Sequence, residues 1–579
     1  MYVPTNPDLP TSWEIPGVYF SLNLTGQGTS QTAQNMRLLC YGDRLSSGSV
    51  AADTPVRVTG QSDANSYFGR GSDLARIYAA ALSQVGQGVL DVWCCGVNEP
   101  AAGTAATHLI NVVGTSASTA GSVDIWIAGY HTSVGISIGD LAATVATNIS
   151  AAINLLLDAP ATASPSTASV VITARHKGVL GNDLPIRVDQ SGATGLTFSP
   201  GILTMSGTTS GAGSHVLTVS STAITTTLTN LDAAATVATN VTNSINGGGY
   251  PVTASVNSAV VTLLYASGRY VHKISTQIIT STGISSTPTV GTAGAGTPVL
   301  TTSLTNISAL PAFGNAALGW NDTTSLGTIS TVVEVLGNGL NQKGMLIHAG
   351  STDALATAGA IPTGTTPLLT ASPRYSVVWC PECPQQAYEL AARAAAMVAA
   401  QPYAPKNYDG MPFATAGTVP LLVPPVAIQA PLSDLNSAIH TYYLTPIAVS
   451  QSLGQLAVVS GKTTSSSADL TLHDWGTIRH LDYLRIAFNA RLGALFSGVS
   501  IRRNGVPHTA NTVTLTSIVD AAFVLAQQLD ETDLFDGAAQ FQSAFQATFD
   551  PVVPTRVDCF IPLAVIRSLH QLGIVGAPV

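Results

Sequence analysis

TPIAVSQSLGQLAVVSGKTTSSSADLTLHDWGTIRHLDYLRIAFNARLGAL, residues Thr445–Leu495, carries the strongest structural signal in the chain. Two short apolar runs flank a turn at Gly454, a pattern typical of a β-hairpin. A polar connector follows and ends at Asp474, a residue type that favours the N-cap of a helix. Beyond it, apolar residues recur at steps of three and four, as on one face of a helix: Ile478, Leu481, Leu484, Phe488, Leu492 and Leu495. The stretch therefore predicts a hairpin that leads into a long amphipathic helix.

Further apolar runs predict strands that alternate with helices along the rest of the chain. Strands are expected at residues 36–42, 54–59, 90–95, 345–350, 375–379, 540–549 and 555–563. Helices are expected at residues 68–85, 385–401, 475–497 and 516–529. Because strands that alternate with helices form α/β layers, the sequence predicts an α/β core built from both ends of the chain.

The composition is low in charge and argues against nucleic-acid and membrane partners. Only 9% of the 579 residues are charged, against roughly 25% in ordinary soluble domains. The net charge of −9 and the lack of a long Lys/Arg run argue against nucleic-acid binding. No apolar run reaches the roughly 18 residues of a membrane span, and MYVPTNPDLP has no signal-peptide pattern. We therefore expect a protein made in the cytosol and released by lysis.

Two copies of one sequence pattern lie in the first half of the chain. Residues 141–154 (LAATVATNISAAIN) and 233–246 (AAATVATNVTNSIN) align with a shift of 92, and nine of the fourteen residues are identical. An alternating strand pattern precedes each copy, starting at Ser122 and Ser214, and a TAS element with a Val-Val strand follows each. Each copy is therefore predicted to be a small inserted α+β module of about 80 residues.

These patterns divide the chain into arms, core segments, modules and a linker. The expected divisions are an N-terminal arm at 1–30, a first core segment at 31–103, module 1 at 104–190, module 2 at 191–285, a Thr/Ser/Gly-rich linker at 286–325, a second core segment at 326–549 and a C-terminal arm at 550–579. The predicted fold class is a mixed α/β multidomain protein with two inserted α+β modules and extended terminal strand arms.

The strongest pattern for catalysis is WCPEC at residues 379–383. An apolar strand, then Cys380 and Cys383, then a helix is the arrangement of thioredoxin-like oxidoreductases, whose helix N-terminus lowers the pKa of the first thiol. Pro384 and the surrounding Thr/Ser-rich segments argue against that fold. A zinc site needs four ligands, and no second CxxC or HxxxH motif completes such a set. A thioredoxin-like redox protein is kept as an alternative.

No other motif supports catalysis or a cofactor. The turn at residues 69–72 (GRGS) lacks the lysine of a P-loop and the third glycine of a dinucleotide-binding fingerprint. No carboxylate pairing suited to catalysis and no G-x-S-x-G elbow is present. HKGVLGND at residues 176–183 fits tight turns, with a metal or catalytic role for Asn182 and Asp183 as the alternative. The sequence therefore predicts no enzyme, no cofactor and no metal ion.

Four motifs resemble the contractile tail sheath proteins of Mu-like bacteriophages. They are TIRHLDYLR at 477–485, PGVY at 16–19, FGRGSDLA at 68–75 and HKGVLGND at 176–183. The resemblance covers the N-terminal segment, the first core strands, the first module and most of residues 326–579. The chain departs from the family pattern in its second module and its cysteines.

The resemblance implies a structural subunit of a contractile tail sheath. Such a subunit forms hexameric rings with its own copies in a helical sheath, which contracts and drives the tail tube through the host envelope for genome ejection. The implied partners are the tail tube protein, the baseplate and the neck or terminator proteins, with no nucleic acid and no direct membrane insertion. The implied location is the virion tail, after assembly in the host cytoplasm.

The same resemblance implies that the terminal arms join subunits. In this family the arms add strands to the sheets of adjacent subunits. The matching strand patterns near the two ends contain the candidate inter-subunit residues: Ile15, Pro16, Gly17, Val18, Tyr19, Arg556, Val557, Cys559, Phe560 and Ile561.

Six cysteines are candidates for disulfide bonds: Cys40, Cys94, Cys95, Cys380, Cys383 and Cys559. Six cysteines allow 15 connectivities, and the sequence does not choose among them. Four of them end predicted core strands that can share one sheet edge, whereas Cys559 lies on an arm and can link two chains. An interchain bond of this kind would hold an extended sheath until it is reduced. The alternative is six buried thiols that pack as small hydrophobic side chains.

A virion decoration or receptor-binding protein is a further alternative. The β-rich modules would be the active part of such a protein. It would not need terminal strands for assembly, whereas a sheath subunit would. The terminal strands therefore discriminate between the two functions.

Overall fold

The computed structural model describes most of the chain between Arg37 and Leu563. Residues 1–36, 193, 221, 364–371, 382, 402–405, 416–420, 423–428, 451, 467–469, 504–510, 554 and 564–579 are not described. The predicted strand at 15–19 therefore lies outside the described residues. Within the described ranges, no helix is both long enough and apolar enough to cross a membrane.

The N-terminal portion of the core is a β-α-β unit with an antiparallel edge strand. Its elements are β1 (Arg37–Arg44), β2 (Pro55–Arg57), α1 (Gln61–Phe68), α2 (Asp73–Val85) and β3 (Asp91–Asn98). β1 and β3 run parallel, and β2 pairs antiparallel with β3. Ser72 caps α2, because its side chain accepts a hydrogen bond from the backbone N–H of Ala75. The predicted strands are confirmed, and the helix predicted from residue 68 begins at Asp73.

The first module packs one helix on two sheets. Its elements are β4 (Ala105–Val113), β5 (Gly121–Ile127), β6 (Tyr130–Ile136), α3 (Ala142–Asn154), β7 (Ala161–Ser166), β8 (Ser169–Lys177), a 3-10 turn (Val179–Asp183), β9 (Ile186–Ser191) and β10 (Thr197–Ser199). The sheet orders are β10-β4-β8-β7 and β6-β5-β9. Val145, Ile149 and Ile153 form the buried face of α3, because they recur at steps of four.

The second module has the same arrangement of elements. They are β11 (Gly201–Gly207), β12 (Gly213–Val219), β13 (Thr222–Leu228), α4 (Ala234–Asn246), β14 (Val252–Asn257), β15 (Val260–Tyr265), β16 (Ile274–Ile279) and β17 (Ile284–Thr289). The sheet orders are β14-β15-β11-β17 and β13-β12-β16. Val237, Val241 and Ile245 form the buried face of α4, at positions equivalent to those in α3.

An asparagine at the end of each module helix explains some of the sequence repeat. The side chain of Asn154 donates to the carbonyl of Ala163 at 2.8 Å and accepts from its N–H at 2.9 Å. Asn246 makes the same pair with Ala254, at 2.9 and 2.8 Å. Each asparagine therefore joins the end of its helix to the following strand.

The modules leave and return to the core at one point. The backbone N–H of Thr104 donates to the carbonyl of Ala295 at 2.9 Å, and that of Ala295 to the carbonyl of Thr104 at 3.0 Å. The second module leaves and returns through β11 and β17, which pair antiparallel with Ile202 opposite Thr289. The chain thus passes through a two-strand neck at the base of the second module.

The C-terminal portion of the core supplies the remaining strands of the main sheet. Its elements are α5 (Thr301–Ala309), β18 (Asn315–Leu318), α6 (Thr323–Gly337), β19 (Leu346–Ser351), α7 (Leu355–Thr363), β20 (Tyr375–Trp379), α8 (Ala387–Ala399), α9 (Leu432–His440), β21 (Thr445–Val449) and β22 (Leu456–Val458). The order of the eight strands is β2-β3-β1-β18-β19-β20-β21-β22. The chain is therefore a mixed α/β multidomain protein.

Helices cover both faces of the main sheet. α2 and α8 pack on one face, where Leu38, Cys40 and Cys94 are buried. α5, α6 and α9 pack on the other, against Leu39 and Tyr41. The six strands from β3 to β21 run parallel, and residues of both faces are buried, as expected for a parallel sheet between two helix layers.

The predicted linker and two module boundaries are wrong. Residues 286–325 contain the end of β17, all of α5 and the central strand β18, so the core resumes before residue 326. β18 reads Asn-Ala-Ala-Leu and has no β-branched or aromatic residue that would mark it as a strand. In addition, β10 pairs with β4 of the first module, and β17 extends the second module past residue 285.

The C-terminal elements form a helical layer and two short strand pairs. They are a 3-10 turn (Leu470–His473), α10 (Trp475–Phe496), β23 (Ser500–Ile501), β24 (Thr512–Val513), α11 (Leu515–Asp530), α12 (Ala538–Ala544), β25 (Gln546–Phe549) and β26 (Val557–Phe560). The predicted hairpin appears as β21 and β22. Asp474 caps α10, because its side chain accepts from the N–H of Thr477.

Two details of this C-terminal prediction are wrong. The periodicity predicts Leu495 on the apolar face of α10, but this side chain is 41% exposed. The first half of the strand predicted at 540–549 is helical and belongs to α12, because Ala538, Phe541 and Phe545 recur at steps of three and four and are buried.

Candidate assembly interface

The TIRHLDYLR motif joins helix α10 to the main sheet through buried charges. Arg374, just before β20, donates two hydrogen bonds to the carboxylate of Asp482, at 2.7 and 2.9 Å. Arg485 donates to the same carboxylate at 3.2 Å and to the carbonyl of Gly337 at 2.7 Å. Burial opposes ionisation of Asp482, but the two guanidinium groups lower its pKa below the usual range. The motif thus positions the C-terminal layer.

The predicted C-terminal strand is one half of a hairpin. β26 pairs antiparallel with β25, with Val557 opposite Phe549 and Phe560 opposite Gln546. Ala547, Cys559, Ile561 and Leu563 pack against the apolar cluster of α10, α11 and α12. The hairpin is therefore held on the C-terminal helical layer of its own chain.

Arg556 ties the turn of this hairpin together. Its Nε lies 2.7 Å from Asp558 Oδ1 and 3.4 Å from Asp550 Oδ2, and all three side chains are largely buried. Asp550 Oδ1 accepts from the N–H groups of Val552 and Val553, both at 2.7 Å. Arg556 thus has a structural role within the chain in addition to the inter-subunit role predicted for it.

Among the described residues, no third strand pairs with the C-terminal hairpin, so the outer edges of β25 and β26 are both unpaired. In the ranges that the structure describes, β25 pairs with β26 alone. A two-stranded sheet is only marginally stable by itself, and an open edge is a template for pairing with another chain. The candidate assembly site is therefore the edge at residues 546–549.

The structure separates the candidate disulfide cysteines of the core into two distant groups. Cys40 and Cys94 are neighbours on β1 and β3, and Cys95 points to the opposite face. β1, β18 and β19 separate β3 from β20, so Cys94 and Cys380 lie roughly 19 Å apart at the usual strand spacing. The strands share one carboxyl edge, as expected, but the four thiols do not lie near each other along it.

All six cysteines are free thiols, and four of them have raised pKa values that oppose reactivity: Cys94, Cys95, Cys380 and Cys559. Burial raises the pKa of Cys559 to about 12, and the nearby Asp558 adds to the effect. Burial and the contact with Cys40 raise the pKa of Cys94. The contact with Cys383 and burial raise the pKa of Cys380. The two cysteines of WCPEC are buried, whereas a thioredoxin-like nucleophile needs a lowered pKa and access.

The first module packs against the turn at residues 69–72. Arg70 makes two hydrogen bonds to Asp158, at 2.7 and 2.8 Å. Gly71 has φ +79°, and a Cβ there would lie 2.8 Å from the carbonyl oxygen of Leu157. Arg76 forms a buried ion pair with Glu389 and lies over the ring of Tyr130, 5.1 Å from its centre. The FGRGSDLA motif is therefore structural.

The HKGVLGND segment joins the first module to the core and to the segment that follows the second module. His176 Nε2 accepts from the backbone N–H of Asp73 at 3.2 Å, and Lys177 lies 3.4 Å from Glu99. Asn182 makes paired hydrogen bonds with the backbone of Gly294, at 3.1 and 2.7 Å. Among the described residues, no group of three or more His, Cys, Asp or Glu is arranged to hold a metal ion. Asn182 therefore acts as a structural residue.

The comparison with known proteins supports the resemblance found in the motifs. No protein-family model matches the chain. The chain is 29% identical over 180 residues to the Mu-like prophage FluMu tail sheath protein of Haemophilus influenzae, and the match covers 31% of this chain and 36% of that protein. The match thus spans about a third of the relative's length.

Two solved structures align over most of the chain with low similarity. A sheath tail protein of Desulfitobacterium hafniense is 13% identical, with 94% of this chain and 99% of that chain covered and a TM-score of 0.40. A sheath tail protein of Listeria innocua is 12% identical, with 90% of each chain covered and a TM-score of 0.39. The sequence match confirms the resemblance predicted from the motifs: this chain is a relative of a tail sheath protein of a Mu-like prophage.

Proposed function

We propose that this chain is the structural subunit of a bacteriophage contractile tail sheath. The observation that carries the proposal is the sequence match to a tail sheath protein. In the proposed sheath, subunits stack as hexameric rings around the tail tube. Contraction then drives the tube through the host envelope for genome ejection.

The proposed assembly step is the addition of a neighbour's strand to the edge of β25. The added strand comes from a terminal arm, with Ile15–Tyr19 as its first candidate. The open edge at residues 546–549 supports this step, because backbone groups there can pair with a strand from another chain. Each backbone hydrogen bond contributes about 0.5–1.5 kcal/mol net, so one strand gives a reversible link that is strong only when repeated.

The proposed partners follow from the same function. They are other copies of the chain, the tail tube protein, the baseplate and the neck or terminator proteins. The proposed location is the virion tail after assembly in the host cytoplasm. The proposal involves no catalytic activity, no cofactor, no nucleic acid and no membrane insertion.

Truncation of each arm tests the proposal. We expect removal of residues 1–25, or of 564–579, to leave a soluble folded subunit that forms no tubes in electron micrographs. The second cut keeps β26 paired with β25, whereas a cut at residue 550 would remove half of the hairpin. Tubes of normal length from both truncated proteins would contradict strand addition by the arms.

A further inference from the structure

An open crevice separates the modules from the core at the carboxyl end of the main sheet. Its volume is about 440 Å³. The 3-10 turn of the first module and Lys273 of the second module line one side, and the start of α6 and the middle of α7 line the other. Three regions of the chain therefore meet across a gap that they do not fill.

Lys273 spans this crevice. Its Nζ lies 3.4 Å from Asp183 of the first module and 4.0 Å from Asp353 of the core. Asp353 is held in place, because its carbonyl accepts from Trp379 Nε1 at 2.8 Å and its carboxylate from Ser351 at 3.4 Å. One ammonium group thus lies between two carboxylates from different regions of the chain.

The charges around Lys273 make it hard to replace. Burial raises the pKa of Asp353, and the charge of Asp183 raises it further, which shows that the two carboxylates repel each other. Burial lowers the pKa of His272 to about 4, so this ring next to Lys273 is neutral at neutral pH. Without the lysine, two repelling carboxylates would face each other across the gap.

Besides the Lys273–Asp183 ion pair, backbone hydrogen bonds join the two modules to each other. Val271 and Ile186 exchange backbone hydrogen bonds of 2.8 and 3.0 Å. Asp189 Oδ1 accepts from the N–H of Gly268 at 2.8 Å. The second module is therefore fastened to the first, and the contact of Lys273 with Asp353 reaches the core.

We propose that Lys273 is an electrostatic latch that holds the second module against the core across the crevice. When the latch opens, the second module and the attached 3-10 turn of the first module move away from the core, and the crevice widens. The proposal concerns the single subunit and does not depend on the sheath function. It assigns a conformational role to a residue that no sequence motif marks.

Hydrogen exchange of the full chain, followed by mass spectrometry, tests the latch. We expect Lys273→Met to increase the exchange rate of residues 179–183 and 353–361 by about tenfold, because both segments border the crevice. Lys273→Arg keeps the charge and should exchange like the wild type. Lys177→Met is the matched control, since Lys177 lies at the same 3.4 Å from Glu99 but does not line this crevice.

The exchange rates of further variants distinguish a specific role of Lys273 from a general effect of removing a surface charge. Adding Asp353→Asn to Lys273→Met should reduce the excess exchange, because it removes the repulsion between the carboxylates. Unchanged exchange in Lys273→Met would overturn the proposal. Equal increases in Lys273→Met and Lys177→Met would overturn it as well, because they would show loss of any module-to-core ion pair to be sufficient.

Discussion

At the scale of the residue, single buried side chains explain why the sequence motifs contain the residues they do. Asp482 lies in the middle of TIRHLDYLR, and its carboxylate takes hydrogen bonds from Arg374 and Arg485. Both arginine side chains are at most 3% exposed. Because buried charges are tolerated only when paired, this motif is explained by the joint between α10 and the sheet.

Asp482→Asn should destabilise the fold strongly. Removing the carboxylate leaves two buried guanidinium groups without their counter-charge, which costs about 3–5 kcal/mol in comparable buried pairs. The measurement is the urea midpoint of unfolding. Asp520→Asn, at an exposed position of α11, is the control and should change the midpoint little. Equal midpoints for the two variants would contradict this role.

The same carboxylate predicts a dependence on pH. The folded pKa of Asp482 is below its ordinary value of 3.8, so its contribution to stability is present above that value and is lost as the pH falls through the folded pKa. The difference in unfolding free energy between the wild type and Asp482→Asn should therefore shrink below pH 3.8. If this difference in unfolding free energy stays constant below pH 3.8, Asp482 does not ionise in the folded protein as described.

The burial of Cys559 within its own subunit bears on whether this residue can form an interchain disulfide. An interchain disulfide through Cys559 stays a prediction from the sequence. Its thiol packs against the cluster of its own chain, and burial raises its pKa to about 12. This burial predicts that alkylated particles run as monomers on non-reducing gels, whereas the disulfide expected from the sequence requires a dimer. A dimer band that Cys559→Ser removes would contradict this burial and support the disulfide.

At the scale of elements, the two modules share a helix whose buried face and C-terminal end make equivalent contacts. The shared helix contributes a buried valine and isoleucine face and ends in an asparagine that binds the next strand. These positions repeat because both modules need the same joint between helix and strand. Identity is not confined to these positions, since the exposed pairs Ala143/Ala235, Thr144/Thr236 and Thr147/Thr239 are identical as well.

Asn154→Ala should loosen β7 without unfolding the core. The change removes two hydrogen bonds to the backbone of Ala163, which together contribute about 1–3 kcal/mol. Hydrogen exchange of residues 161–166 should therefore become about tenfold faster. Asn148→Ala, on the exposed face of the same helix, is the control and should leave the exchange rate of residues 161–166 unchanged. Equal exchange rates in the two variants would show that the Asn154 side chain does not hold β7.

The elements also show what could be predicted from the sequence and what could not. The sequence predicts α10 well, because a capping aspartate and the steps of three and four are local signals. It does not predict β18, because the side chains of this strand carry no strand signal and its burial comes from neighbours distant in sequence. The contacts of Lys273 with Asp183 and Asp353 join residues about eighty to ninety positions apart, which no local pattern encodes.

At the scale of the whole molecule, the neck of the second module allows it to be removed cleanly. Gly201 and Val290 are adjacent, since a Cβ on Gly201 would lie 2.5 Å from Val290 Cγ1. Deletion of residues 202–288 with a short Gly-Ser joint should therefore leave a soluble chain that still forms tubes. Deletion of 214–282 should be less soluble, because it leaves β11 and β17 without β15. Insolubility of the first deletion would show that the core needs the module.

In the proposed sheath, subunits assemble by adding a strand from one chain to the C-terminal hairpin of another. Cryo-electron microscopy of tubes formed by the purified protein measures this directly. The account predicts a strand from a neighbouring subunit beside β25, paired with the backbone of residues 546–549. Tubes in which the hairpin has no strand from another chain would contradict the account.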